Sequence, residues 1–166
     1  MAINYIRAYR APDPEPTEDA AADAPSPTPP GLLFVASTAG VKRDGLVIDQ
    51  SRWLLDNYRA NPVLLWAHDY SRLPIGRAEV DVVDGQLMAR LVFDPGDPFA
   101  SEVERKYRDG ILNAVSVGWQ DTTRDGTPLG RTAGPDDVWH ELFDVSAVPV
   151  PGDPAALIAG GRAAVR

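Results

Sequence analysis

Apolar and polar positions alternate over several short stretches, and these predict most of the strands. Leu32–Ser37 (LLFVAS) is dense in strand formers, and Thr38–Gly45 after it reads as a turn or loop. Val63–Ala67 (VLLWA) predicts a buried strand, entered after Pro62. Ile75–Val83 and Gln86–Phe93 flank Asp84-Gly85, a pair suited to two-residue hairpin turns because both central positions take positive φ. Ala114–Gln120 (AVSVGWQ) and Val138–Val150 read as two more strands, separated by a loop over Thr122–Asp137. Strict alternation in the last strand puts His140, Leu142, Asp144 and Ser146 on one face. Trp139, Glu141, Phe143 and Val145 fall on the other, and its aromatics mark that side as the core. Two stretches follow a helical period instead. Asp49–Asn57 (DQSRWLLDN) has a capping Asp or Ser ahead of apolar residues and predicts a short helix. Pro98–Arg108 (PFASEVERKYR) repeats Phe99, Val103 and Tyr107 at i, i+4 and i+8, with Gly110 in the stop position. Many short strands, two helices and no βαβ rhythm predict an α+β fold, a mainly antiparallel β-barrel with a few flanking helices.

Composition changes this picture at the ends. Residues 11–30 hold seven of the 16 prolines, five acids, no base and no large apolar side chain. Such a segment has nothing to bury, so residues 1–30 read as a short amphipathic stub followed by a disordered, acidic linker. The folded domain is expected over 31–158, with 159–166 as a flexible tail. A net charge of −8 leaves no broad phosphate-binding face, so nucleic acid is not an expected partner. Apolar runs such as Val63–Ala67 fall far short of the roughly 20 residues of a membrane span, and no charged-then-apolar leader opens the chain. The expectation is a soluble, intracellular protein without a membrane partner. With no cysteine, disulfide scaffolds, thiolate zinc sites and a cysteine nucleophile are excluded. GxSxG, HExxH and Walker motifs are missing too, and no metal or other cofactor is expected.

Candidate chemistry therefore rests on few residues. His68 ends the apolar strand VLLWA, where a rigid scaffold opens into a loop and can present a reactive group. It reads either that way or as a hydrogen-bonded structural histidine. Ser116 stands inside the apolar run AVSVG, where a buried hydroxyl needs a partner. It is a candidate nucleophile or a strand serine bonded to a neighbouring carbonyl. A hydrolytic triad needs a base for the serine proton and a third group to orient that base. His68, Ser116 and either Asp144 or His140 form the one plausible set.

Several segments together resemble one family, the prohead (capsid maturation) serine proteases of tailed bacteriophages, related to herpesvirus assemblin. They are Asn61–Asp69 (NPVLLWAHD), Pro74–Arg77 (PIGR), Arg108–Trp119 (RDGILNAVSVGW) and Glu141–Pro151 (ELFDVSAVPVP), running on to Pro154–Ala156. The resemblance implies an assemblin-like barrel, with His68 as the base and Ser116 as the nucleophile. Asp144 takes the third role at a position where relatives usually carry Glu; in the herpesvirus relatives a second histidine fills it, which keeps His140 as the alternative. Gly152-Asp153 stands where the family more often shows Ala-Asn, a change read as harmless to the turn. The implied activity is an endopeptidase cleaving capsid or scaffold protein, and itself, inside proheads assembling in the host cytoplasm. The implied partners are the major capsid protein and the scaffold, with self-association possible. Two other readings stand beside it: an assembly or scaffold factor that kept the fold and lost the chemistry, and a small β-barrel binding module with a pocket around His140.

Overall fold

The computed structural model describes residues 31–130 and 133–159; the expected stub and linker (1–30) and the tail beyond 159 lie outside the described residues. Seven strands form one curled, mixed sheet: β1 (Leu32–Ser37), β2 (Trp53–Leu54), β3 (Val63–Trp66), β4 (Gly76–Val83), β5 (Gln86–Phe93), β6 (Ala114–Thr122) and β7 (Trp139–Val148). The order is β1-β5-β4-β3-β7-β2, with β6 on the other side of β7. The β4–β5 hairpin turns at Asp84 (φ 52°) and Gly85 (φ 71°), as the sequence predicts. Along it Ala78, Val80, Leu87, Ala89, Leu91 and Phe93 are buried, while Glu79 and Asp81 face out.

Four of the six strand pairs are antiparallel, but β2 and β3 both run parallel to β7, so the sheet is mixed. The long excursion from β3 through β6 gives the chain room for such a crossover. Short backbone bonds then close the sheet toward a barrel. Residues 156–159 lie between β1 and β6: Leu157 O and Ala159 N bond Val35 N and Leu33 O, while Ala156 O and Ile158 N bond Val115 N and Asn113 O.

Helix α2 (Pro98–Arg108) forms as read. Asp97 caps it by accepting from Phe99 N (2.9 Å), Pro98 opens it, and Gly110 (φ 71°) follows its C-cap. Its buried face, Ala100, Val103 and Tyr107, sits on the sheet, with Tyr107 edge-on to Phe34 and its hydroxyl bonded to Ala114 O (2.6 Å). The helix expected over Asp49–Asn57 is broken instead. Asp49 caps a single 3-10 turn (Gln50–Arg52), β2 follows, and only then does α1 (Asp56–Ala60) form. Pairing of Trp53 and Leu54 with His140 and Glu141 claims the backbone groups that a continuous helix needs.

The alternation expected in β7 is also corrected. Asp144 pairs with Gly118 and Leu142 with Trp119, so Phe143 is an inserted bulge residue. Consecutive residues of β6 face opposite ways, which places Leu142 and Asp144 on opposite faces. Leu142, Val145 and Ala147 join the core, whereas Phe143, expected to mark the core side, is 43% exposed. Asp144 and Ser146 are left together on the outer face of the barrel, with Ser116 and Gly118 of β6 beside them.

Candidate active site

Where β3 ends, the chain turns sharply through two residues that are not glycine yet lie in the left-handed region, Ala67 (φ 53°) and His68 (φ 57°). Such backbone carries strain and persists only where the surroundings fix it. Three bonds do so here: Ala67 N to Ala147 O (2.9 Å), His68 N to Ser146 Oγ (3.1 Å) and Asp69 N to Trp66 O (3.0 Å). Asp69 then accepts from Ser71 N (3.0 Å) and Ser71 Oγ (2.6 Å), holding the turn that follows.

This turn brings the His68 ring to Asp144, Nδ1 lying 2.9 Å from Oδ1. Asp144 is 0% exposed, and two more donors meet its carboxylate: Ser146 Oγ at Oδ1 (2.7 Å) and Tyr70 OH at Oδ2 (2.6 Å). Burial pushes the carboxyl up, but the bonds from His68, Tyr70 and Ser146 outweigh it and hold Asp144 below the usual carboxylate value. The Tyr70 hydroxyl is pushed up to about 12 by burial, by its bond to Asp144 and by that residue's charge. It therefore stays a donor at neutral pH. Ser146 is the hub, accepting from the strained His68 N–H and donating to the carboxylate.

Gly118 makes room for this arrangement. A Cβ there would run into the Asp144 carboxylate and come within 3.1 Å of the Tyr70 hydroxyl. Gly118→Ala is expected to destabilise the fold by about 1–3 kcal/mol, as overpacking of a filled site does. The check is the urea midpoint of the variant against wild type. An unchanged midpoint would show that the carboxylate has slack to move.

Ser116 lies one strand over, opposite Ser146 in the β6–β7 register and half-buried. Among the described residues its hydroxyl has no hydrogen-bond partner, and none joins it to His68. It borders a cleft of about 200 Å³ walled by Ala36, Ile48, Val117 and Trp119, with Lys42 and Asp153 in the lining. Gly152 closes over it, since a Cβ there would sit 3.9 Å from Ser116 Oγ.

His140 is placed elsewhere. It is buried, its Nδ1 lies 2.8 Å from Asp121 Oδ1, and its ring meets Trp53 edge-on. The structure thus joins His68 to Asp144, sets Ser116 on the same face, and pairs His140 with a different carboxylate. Sequence reading gave no role to Tyr70 or Ser146, and took Gly118 only as a place near which backbone N–H groups could serve an oxyanion. Ser146 carried a usable signal, because two residues from Asp144 on a strand it shares that residue's face. Among the described residues, no group of three or more His, Asp or Glu side chains is placed to hold a metal ion, and no helix is long and apolar enough to cross a membrane.

A histidine fixed through Nδ1 by a buried carboxylate leaves Nε2 to exchange a proton, and a hydroxyl on the same face is a group to receive that service. Against known proteins, the chain is similar to the prohead protease of Escherichia phage T5, with 28% identity over 120 residues. The alignment covers 70% of this chain and 55% of the phage protein, so the chain spans little more than half of that relative's length. No family model matches the chain, and no solved structure matches it.

Proposed function

We propose that the chain is a serine endopeptidase of the prohead-maturation kind, with His68, Ser116 and Asp144 as its triad and an assemblin-like barrel as its scaffold. The observation that carries the reading is the buried Asp144 carboxylate bonded to Nδ1 of a conformationally strained His68, on the same face of the sheet as a serine hydroxyl that has no hydrogen-bond partner among the described residues. The similarity to the phage T5 prohead protease supports it. Ser116 Oγ attacks a peptide carbonyl carbon while His68 Nε2 takes its proton. The C–N bond then breaks, His68 returns the proton to the leaving amine, and water releases the acyl group by the same route. Asp144 holds the imidazole tautomer and stabilises the imidazolium.

The developing oxyanion needs donors, each worth about 3–4 kcal/mol. Gly118 underlies Asp144, so the donors best placed are backbone N–H groups of the 150–153 loop that closes over Ser116. The substrates are capsid or scaffold protein in an assembling head, and the chain itself. His140, bonded to Asp121, has no part in this mechanism.

Treating the full chain with a fluorophosphonate and mapping the adduct by peptide mass tests the assignment. The label is expected on Ser116 and is expected to be lost in His68→Ala. A chain that takes no label at Ser116 while still entering proheads would instead be the assembly factor that kept the fold without the chemistry.

A further inference from the structure

Lys42 is buried at 6% exposure in the lining of the Ser116 cleft, and the chemistry above gives it nothing to do. Its ammonium bonds Thr38 O, Gly40 O (3.1 Å) and Asp153 Oδ2 (2.7 Å). Asp153, read from sequence as a harmless change of turn, is itself buried. Its Oδ2 also accepts from Thr38 N (2.7 Å) and Thr38 Oγ1 (2.9 Å), and its Oδ1 from Ala155 N (2.9 Å). The neighbouring Arg43 bonds the same loop twice, its N to Gly152 O (2.9 Å) and its Nε to Pro151 O (3.0 Å). Five bonds thus tie residues 38–43 to residues 151–153, the stretch that closes over Ser116 Oγ.

That stretch is poorly equipped to hold itself. Pro149, Pro151 and Pro154 have no N–H, so few backbone bonds can form within it. Gly152 and Asp153 keep their N–H groups free of partners among the described residues. A buried ion pair adds little net stability against a well-packed apolar alternative. What it does supply is a fixed geometry, and oxyanion donors need one, because a shift of about 1 Å can reduce rate by about 100-fold.

We propose that Lys42 and Asp153, with Arg43, are positioning residues that clamp the 150–153 loop against the Ser116 hydroxyl so that its N–H groups meet the oxyanion. The proposal rests on the peptidase reading of Ser116. Fluorophosphonate labelling of the full chain, followed at several probe concentrations, separates the maximal labelling rate from the apparent affinity. Lys42→Met and Asp153→Asn are each expected to lower the maximal rate by about 10- to 100-fold, with affinity for the probe within about twofold. Lys42→Arg keeps the charge and is expected to recover most of the rate. A folded Lys42→Met or Asp153→Asn that labels as fast as wild type, whatever its melting temperature, overturns the clamp alone. If Lys42→Met does not fold, Asp153→Asn decides, since it keeps the side chain's shape. A wild type that takes no label at Ser116 overturns the peptidase reading and the clamp with it.

Discussion

Ser116→Ala is expected to reduce cleavage by about 10⁶-fold, to the level that binding and oxyanion stabilisation provide without a nucleophile. Stability should hardly change. The Ser116 hydroxyl borders an open cleft and has no hydrogen-bond partner among the described residues, so its removal orphans no group. Substitutions of this kind usually stay within about 0.5 kcal/mol. Co-expression with a candidate capsid protein, read by intact mass, compares fragments from wild type and variant, and a melting curve checks the fold. Defined capsid or self fragments that depend on Ser116 support the peptidase. Identical fragment patterns from both chains in assembled particles would sink the serine mechanism and leave the assembly factor as the better reading.

Features set by neighbours in sequence were legible from the sequence. Asp84-Gly85 declares its hairpin because only a few residue pairs tolerate two positive φ angles, and both adopt them. Helix α2 declares both ends, through Asp97 and Gly110. His68 was legible as a strand-end residue, but not its strained backbone, which depends on Ala147 and Ser146 some 80 positions away.

The misreadings share one cause, a distant partner that overrides a local pattern. Trp53 and Leu54 leave a helical period because β7 offers them backbone bonds. The bulge at Phe143 cannot be seen in β7 alone, since it exists only as a mismatch against β6. Its effect is to serve two faces at once: without it Asp144 and Leu142 would share a face, and β7 could not place the carboxylate beside Ser116 and Leu142 in the core together. Lys42 reads as an ordinary solvated lysine until Asp153, on the far side of the sequence, is brought 2.7 Å from it.

Asp144→Ala is expected to lower cleavage by about 10⁴-fold, the loss typical when the third triad member alone is removed. The His68 ring would lose the acceptor at Nδ1, and with it the tautomer that leaves Nε2 basic. Ser146, fully buried, would lose its acceptor too, and such an orphaned donor destabilises by about 1–3 kcal/mol, whereas Tyr70 is 67% exposed and its hydroxyl can turn to water. Asp144→Asn separates the roles of shape and charge. Its amide oxygen can take the place of Oδ1 and keep both His68 and Ser146, while the Tyr70 hydroxyl rotates to accept from the amide nitrogen. What asparagine lacks is the charge that stabilises the imidazolium, so its activity is expected between alanine and wild type. The stability gap also has a sign in pH. Asp144 is held below the usual carboxylate value, so its contribution is present in full above about pH 4 and is lost as pH falls through the lowered value. Urea midpoints of wild type and Asp144→Ala should therefore differ most at pH 7 and converge in acid. Cleavage that survives Asp144→Ala but collapses in His140→Ala would move the third role to His140. That outcome would require the Asp121 bond to break and His140 to reach the His68 ring.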